Sequence, residues 1–190
     1  KRVRIASVTC ATRSLKNTQP ADMRILGVDP GLNATGYGVL AVDGARLRMV
    51  TAGAICPPKR QPLPSRLEHL HAALSDLITC HRPQIMVLEM VFTHHRYVAT
   101  AALMAHARGV ACLAAQEHGL TLAEYPPARV KKALTGNGNA SKAQVARMVG
   151  QWLGQKELPL SSDATDALAL AIAYVHMDGQ RQRLPAGAVG

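Results

Sequence analysis

Four acidic residues stand at positions where a fold could gather them: Asp29, Glu89, Asp163 and Asp166. Asp29 and Glu89 each follow the last residue of a short apolar run, and Asp163 and Asp166 lie three residues apart at the start of an apolar stretch. Clustered carboxylates repel one another unless a cation lies between them. Hard oxygen ligands without cysteine suit Mg²⁺ or Mn²⁺ better than zinc. The pattern therefore predicts a site for divalent metal ions.

The overall charge of the chain has the opposite sign to these four residues. The 190 residues include 22 Lys and Arg against 12 Asp and Glu, which gives a formal net charge of +10 and an isoelectric point near 10.0. Cationic surface binds polyanions by releasing their counterions. A carboxylate cluster on a basic protein indicates metal ions acting on a polyanion, which is the chemistry of a nuclease. A basic protein without a special partner is the alternative on charge alone.

Composition narrows the class of protein. A length of 190 residues with 48% hydrophobic residues favours one folded domain with a substantial core. No apolar run reaches the length of a membrane span, because Arg, His, Gln or Pro interrupts each one. The cysteines are far apart and form no CxxC pair, which argues against a zinc site or a disulfide framework and favours a cytoplasmic location. They are Cys10, Cys56, Cys80 and Cys112.

The two ends of the chain differ from its centre. Residues 1–22 contain Lys, Arg, Ser and Thr with almost no acid and no clear periodicity. We expect them to be poorly ordered and outside the fold, as a tail, an upstream start-site artefact or a transit-like peptide, and they lack the apolar core of a secretory signal. Residues 181–190 are expected to form a flexible tail, which leaves 23–180 as the folded domain.

Periodicity predicts ten elements in that domain. Apolar or alternating runs predict strands at 24–28, 36–42, 46–55, 84–88 and 120–125, and Asp43-Gly44 predicts a hairpin between the second and third. Helices are predicted at about 65–81, 97–118, 128–135, 141–153 and 162–177, the first with a capping box formed by Ser65 and Glu68. Three antiparallel strands followed by alternating helices and strands predict an α/β fold, with a mixed five-stranded sheet covered by helices on both faces.

These elements would bring the four carboxylates together. Ligands gather at strand ends in α/β sheets, so Asp29 and Glu89 point into one cleft if their strands are neighbours. Three-residue spacing puts Asp163 and Asp166 on one face of a helix. Ordinary alternatives remain for three of them: Asp163 as a helix N-cap, Asp166 as a first-turn partner of the helix dipole, and Asp29 as part of a turn. Glu124, near another strand end, is a rival candidate.

Several short motifs, taken in order along the chain, resemble the RuvC family of Holliday junction resolvases. They are Gly27-Val28-Asp29-Pro30-Gly31, Thr35-Gly36-Tyr37-Gly38-Val39, Leu63-Pro64-Ser65-Arg66-Leu67, Glu89 followed by Val91-Phe92, Ala107-Arg108-Gly109-Val110, Val130-Lys131, Ser141-Lys142 and Asp163-Ala164-Thr165-Asp166-Ala167-Leu168-Ala169. The resemblance covers residues 23–178 without a large gap, and residues 1–22 have no counterpart in it.

The resemblance implies a ribonuclease H-like fold and a homodimer that cuts four-way DNA junctions by paired symmetric nicks, in homologous recombination and DNA repair. It implies two Mg²⁺ ions per active site, with Mn²⁺ as a substitute, held by Asp29, Glu89, Asp163 and Asp166 as the catalytic acids. It also implies the branch-migration proteins RuvA and RuvB as partners. One alternative is another ribonuclease H-like nuclease that acts on structured RNA, and a second is a junction-binding protein in which the acids do not assemble. A nucleotide-binding module of the actin-like type is disfavoured, because the chain is too short for its second lobe.

Three further residues are candidates for DNA binding. Lys131 and Lys142 match lysines beside the DNA path of the family, and each could neutralise a phosphate, whereas solvated helix lysines are the ordinary alternative. Phe92 is the only Phe in the chain. By residue type alone a Phe more often belongs to a core, but the family match favours stacking on an unpaired base. The following run, 93–96, departs from the family pattern, so no DNA contact of this loop is carried over by position.

Overall fold

The computed structural model of the chain describes residues 22–90, 98–155 and 159–178. Within those ranges the chain forms a mixed five-stranded sheet with helices on both faces, which confirms the predicted fold. The strands are β1 (Met23–Asp29), β2 (Thr35–Asp43), β3 (Arg46–Ile55), β4 (Ile85–Glu89) and β5 (Thr121–Tyr125). The helices are α1 (Leu63–His81), α2 (Val98–Glu117), α3 (Pro127–Thr135), α4 (Lys142–Trp152) and α5 (Ser162–Met177).

β1 lies at the centre of the sheet, whose strand order is β3-β2-β1-β4-β5. It pairs antiparallel with β2 and parallel with β4, and β4 pairs parallel with β5. The β2–β3 hairpin turns through Gly44-Ala45, one residue later than predicted, because Asp43 still pairs with Arg46. Gly44 has a φ of 57°, a conformation that glycine adopts without the steric cost of a Cβ.

Two cores form because successive side chains of a strand point to opposite faces of the sheet. Ile25 belongs to the core shared with α3, α4 and α5, whereas Leu26 belongs to the core shared with α1 and α2. β4 repeats the alternation with Val87 and Leu88. Both faces of the central strands are therefore covered, as their near-continuous apolar sequence predicts.

Glycines in the sheet allow α5 to lie very close to it. A Cβ added at Gly27 would lie 1.9 Å from the carbonyl oxygen of Ala167, and one at Gly36 would lie 2.0 Å from that of Asp163. Real Cβ atoms essentially never come within 3.0 Å of another heavy atom. The absence of side chains at these two positions therefore fixes how closely the first turns of α5 approach β1 and β2.

The start of α1 differs from the prediction. The helix begins at Leu63, and its N-cap, Pro62, makes no side-chain hydrogen bond, so the predicted capping box of Ser65 and Glu68 is wrong. Pro64 is tolerated in this first turn because the first N–H groups of a helix have no acceptor inside it. Ser65 consequently lies inside the helix rather than at its cap.

Some expectations concern residues outside the described ranges: the extension at 1–21, Phe92, the run 93–96 and the tail at 181–190.

Among the cysteines, Cys56 and Cys112 carry free thiols, whereas Cys80 is disulfide-bonded, so the argument against disulfides fails for Cys80. None of the helices in the described part of the chain is long and apolar enough to cross a lipid bilayer.

Candidate active site

Asp29 and Glu89 lie at the same edge of the sheet. β1 and β4 are adjacent parallel strands, and Val28 stands beside Leu88 in their register. The next residue in each strand is the acidic one, and it is also the last of its strand. The two carboxylates are therefore neighbours because the strands that end in them are neighbours, as the sequence predicts.

A cleft of about 360 Å³ opens at this edge. Its polar lining consists of Asp29, Glu89, Asp166, Lys131 and Lys142. The remaining lining is apolar or prolyl: Met104, Pro127, Val130, Val145, Ala169 and Leu170. The structure thus brings three of the predicted acids and both predicted DNA-binding lysines to one cavity.

Asp163 lies beside the cleft and not in its lining. Ser161 is the N-cap of α5, and its hydroxyl accepts a hydrogen bond from the Ala164 N–H at 3.3 Å, so Asp163 is in the first turn and is not the cap. The backbone of Asp163 abuts Gly36, which pairs with Asp29 across the sheet. The negative charge of Asp163 also raises the pKa of Asp29. The fourth acid therefore acts on the same site from its border.

Burial and mutual repulsion both act on the two strand-end carboxyls. Burial is the main cause that raises the pKa of Asp29 from 3.8 to about 6, followed by the charges of Asp166 and Asp163. Burial likewise raises the pKa of Glu89 from 4.5 to about 7, followed by the charges of Asp29 and Asp166. Positive charge arriving in the cleft would favour the charged forms and lower both pKa values again. The cleft is thus prepared for a cation by electrostatics as well as by ligand type.

Part of that positive charge is supplied by the two lysines. Lys142 Nζ lies 2.8 Å from Asp166 Oδ2 and 3.5 Å from Ser162 Oγ. The hydrogen bond to Asp166 raises the pKa of Lys142, whose ammonium also lowers the pKa of Asp29 and of Glu89. Lys131 lowers the pKa of Glu89 as well. Among the described residues, Lys142 is therefore the ion-pair partner that Asp166 has within the cleft.

The donor set fits a hard divalent cation, although its side chains are not in a coordinating arrangement. Asp29, Glu89, Asp163 and Asp166 offer carboxylate oxygens, which Mg²⁺ and Mn²⁺ prefer. Within the described ranges, no three side chains of His, Cys, Asp or Glu converge closely enough to hold one ion. Lys142 is bonded to Asp166 Oδ2, so Lys142 and a bound metal ion would compete for the negative charge of Asp166.

Glu124, the rival candidate, is engaged elsewhere. Its carboxylate forms an ion pair with Arg108, which links β5 to α2. Arg108 also donates to the Cys112 thiol, at 3.6 Å. Glu124 does not line the cleft. Its position near a strand end therefore reflects a structural ion pair.

Sequence reasoning missed the residues that close the turn after Asp29. The Thr35 hydroxyl donates to the carbonyl oxygen of Gly31 at 2.7 Å and accepts from the Gly31 N–H at 3.3 Å, and Thr35 is fully buried. Gly31 is also required sterically, because a Cβ there would lie 2.4 Å from the Ala34 carbonyl oxygen. The signal was a glycine and a threonine four residues apart between two apolar strands, a spacing suited to a side-chain-closed turn.

Comparison with known proteins identifies the family of this chain. A family model described as "Crossover junction endodeoxyribonuclease RuvC" matches residues 25–174, which is more than half of the chain. This chain belongs to the RuvC family. A family member from Rhodopirellula baltica is 44% identical over 148 residues, which cover 78% of this chain and 83% of that protein.

Solved structures of the family have the same fold. A Thermus thermophilus RuvC structure is 33% identical, with a TM-score of 0.78, and the match covers 84% of this chain and 97% of that one. The structure of T. thermophilus RuvC in complex with a Holliday junction substrate is 34% identical, with a TM-score of 0.76, covering 81% of this chain and 93% of that one. The ribonuclease H-like fold that the resemblance implies is therefore confirmed.

Proposed function

We propose that this chain resolves four-way DNA junctions by nicking two strands symmetrically, in homologous recombination and DNA repair. Family membership makes it a crossover junction endodeoxyribonuclease. The observation that carries the finer proposal is the cleft, in which Asp29, Glu89 and Asp166 lie beside Lys131 and Lys142. The related T. thermophilus protein has been solved with a Holliday junction substrate, which supports junction DNA as the ligand here.

The proposed cofactor is a pair of Mg²⁺ ions, with Mn²⁺ as a substitute. The RuvC family is one of divalent-metal-dependent nucleases. Asp29, Glu89, Asp163 and Asp166 are the residues that would hold the ions. When bound, such ions activate an attacking water and stabilise the leaving 3′-oxygen, which yields 5′-phosphate and 3′-hydroxyl ends. The raised pKa values of Asp29 and Glu89 support this role, because a cation in the cleft would favour their charged forms.

The basic residues of the cleft supply the contacts to DNA in this proposal. Lys131 and Lys142 each neutralise a phosphate of the bound strand. Lys142 already forms an ion pair with Asp166, so substrate and metal binding would redistribute its charge. We assign Phe92, which lies outside the described ranges, to stacking on an unpaired base near the crossover.

The proposed reaction requires two copies of the chain to act together. Cutting two strands symmetrically requires two active sites, which a homodimer supplies. By family, the branch-migration proteins RuvA and RuvB are the expected partners, and the cytoplasm is the expected location.

The deciding experiment is a nicking assay on a four-way DNA junction with mapped products. We expect Mg²⁺-dependent nicks at symmetric positions on two strands, none in EDTA, and none with Asp29→Asn at unchanged junction binding. Linear duplex and structured RNA of equal length serve as competing substrates. Preferential cutting of the RNA would overturn the proposal in favour of another ribonuclease H-like nuclease. Junction binding without Mg²⁺-dependent nicking would identify a non-catalytic binding protein.

A further inference from the structure

The turn to Thr35 begins directly after Asp29, the acid at the end of the central strand. Asp29 pairs with Gly36, so it stands on the last rung of the β1–β2 ladder, where the chain leaves the sheet. Its carboxylate accepts no hydrogen bond from any residue in the described ranges. Because no neighbouring side chain in the described part of the chain holds the carboxylate, its position depends on the backbone on either side of Asp29.

Two side chains hold this turn from opposite sides. Thr35 closes it from within through its two hydrogen bonds to Gly31. Arg66, near the start of α1, holds it from outside: Nη2 donates to the Leu32 carbonyl oxygen at 2.8 Å and to Asn33 Oδ1 at 3.0 Å. These bonds join residues more than thirty positions apart in sequence and tie α1 to the turn.

The buried position of the Arg66 side chain costs stability. Its Nε–H is buried without a hydrogen-bond partner in the part of the chain that the structure describes. A buried donor without an acceptor costs free energy, and a long side chain fixed in place also loses rotamer entropy. The planar guanidinium, however, holds the two N–H groups of Nη2 in fixed directions toward the two acceptors, whereas the N–H groups of a lysine ammonium rotate freely. The arrangement therefore lowers stability somewhat and holds the turn in one conformation.

We propose that Arg66 is a positioning residue for Asp29: it fixes the Leu32-Asn33 turn against α1 and thereby holds the carboxylate in its direction toward the metal site. This inference rests on the proposed function for its link to DNA cutting. It does not require a contact between Arg66 and DNA, metal or any reacting atom. Residues that hydrogen-bond to metal ligands typically change metal affinity or activity about 10- to 100-fold when they are removed, and we expect an effect of that order for Arg66, which acts through the turn.

The first measurement is Mn²⁺ binding to the DNA-free protein by calorimetry, for wild type, Arg66→Ala, Arg66→Lys and the matched control Arg60→Ala. Arg60 is exposed in the segment before α1, and its replacement by alanine removes the same charge as Arg66→Ala. We expect Arg66→Ala to weaken Mn²⁺ binding about 10-fold. Arg66→Lys should be intermediate, because it keeps the charge and loses the planar fork, and Arg60→Ala should bind like wild type.

The second measurement separates positioning from DNA binding and from folding. Single-turnover cutting of a saturating four-way junction should slow about 10- to 100-fold in Arg66→Ala, with junction affinity in EDTA changed by less than about twofold. Assays are run at a temperature where each variant is fully folded by circular dichroism. Millimolar methylguanidinium should restore part of the rate to Arg66→Ala and none to Asp29→Asn.

Should Arg66→Ala not fold, Asn33→Ala removes one of the two acceptors and should show a smaller loss of Mn²⁺ affinity in the same direction. Wild-type Mn²⁺ affinity in Arg66→Ala, or in Asn33→Ala where Arg66→Ala is not folded, would overturn the inference. An equal loss of junction binding and cutting in Arg66→Ala would also overturn it, because Arg66 would then be a DNA contact. If wild type cuts no junction while Arg66→Ala still weakens Mn²⁺ binding, the proposed function fails and the positioning role stands.

Discussion

Gly36→Ala is expected to move the first turn of α5 and to impair cutting far more than its single added methyl group would suggest. The new Cβ would lie 2.0 Å from the carbonyl oxygen of Asp163 and 2.4 Å from its carbonyl carbon. Because Cβ atoms essentially never approach within 3.0 Å, strand and helix must separate by at least about 1 Å. Both contacted atoms belong to backbone, so no side chain can rotate away to relieve the clash.

The magnitude follows from that displacement. Overpacking a close-packed interface typically costs about 1–3 kcal/mol, and each kcal/mol lowers the melting temperature of a domain of this size by about 2–4 °C. A misplacement of about 1 Å in a catalytic group can slow the reaction about 100-fold. We therefore expect a melting temperature about 2–12 °C lower and single-turnover junction cutting about 100-fold slower.

The assay compares Gly36→Ala with Gly109→Ala under conditions in which both variants are fully folded. Gly109 lies in α2, and an added Cβ there meets no atom within 4 Å, so its replacement should be neutral or slightly stabilising. If Gly36→Ala cuts junctions at the wild-type rate while fully folded, the close packing of α5 does not position the acids and the reasoning is refuted. If only its melting temperature falls, Gly36 serves stability alone.

Three further predictions concern the charges in the cleft. Because the folded pKa values of Asp29 and Glu89 are raised, the folded state resists charging them, and stability falls as pH rises from about 4 to about 7. D29N and E89Q should consequently raise the metal-free melting temperature at pH 8 and have little effect at pH 4, with the exposed D76N as control; equal shifts at both pH values would contradict this. K142A should tighten Mn²⁺ binding to the DNA-free protein about two- to fivefold, the range expected for losing one exposed ion pair, and should slow junction cutting; calorimetry showing weaker Mn²⁺ binding would refute the competition. K131A should reduce the salt dependence of junction binding by about one unit of slope, measured by fluorescence anisotropy, and an unchanged slope would exclude a phosphate contact.

Much of the fold could be predicted because local patterns and tertiary structure agree. The apolar run that ends at Glu89 is buried on both faces, and its near-continuous apolar composition is typical of a central strand in a covered sheet. The start of α1 could not be predicted from the capping box, since Ser65 and Glu68 have the right spacing but lie inside the helix. Prolines can occupy the first turn of a helix as well as precede it, and sequence alone does not choose between these cases.

The sequence could predict which residues the cleft brings together better than how their side chains are arranged. Strand order made neighbours of Asp29 and Glu89, but nothing in the sequence indicated that Lys142 binds Asp166 in the DNA-free chain. Likewise, sequence could not separate Glu124, the acid of a structural ion pair, from Asp29 and Glu89, because all three stand near strand ends. Side-chain pairing depends on tertiary contacts, which short-range patterns do not encode.

The glycines under α5 and the carboxylates in the cleft relate stability to activity in opposite ways. At Gly36 the two properties are linked, because one close contact both packs the helix and places Asp163. At Asp29 they conflict, because burial among like charges makes the folded, metal-free protein less stable than it would be with a neutral amide. Substitutions at Gly36 should therefore lower both stability and junction cutting. D29N, in contrast, should raise stability and abolish cutting. Gly36 and Asp29 pair across a single β-ladder, yet their substitutions should change stability in opposite directions. This difference distinguishes a site built for a cation from an ordinary buried edge of a sheet.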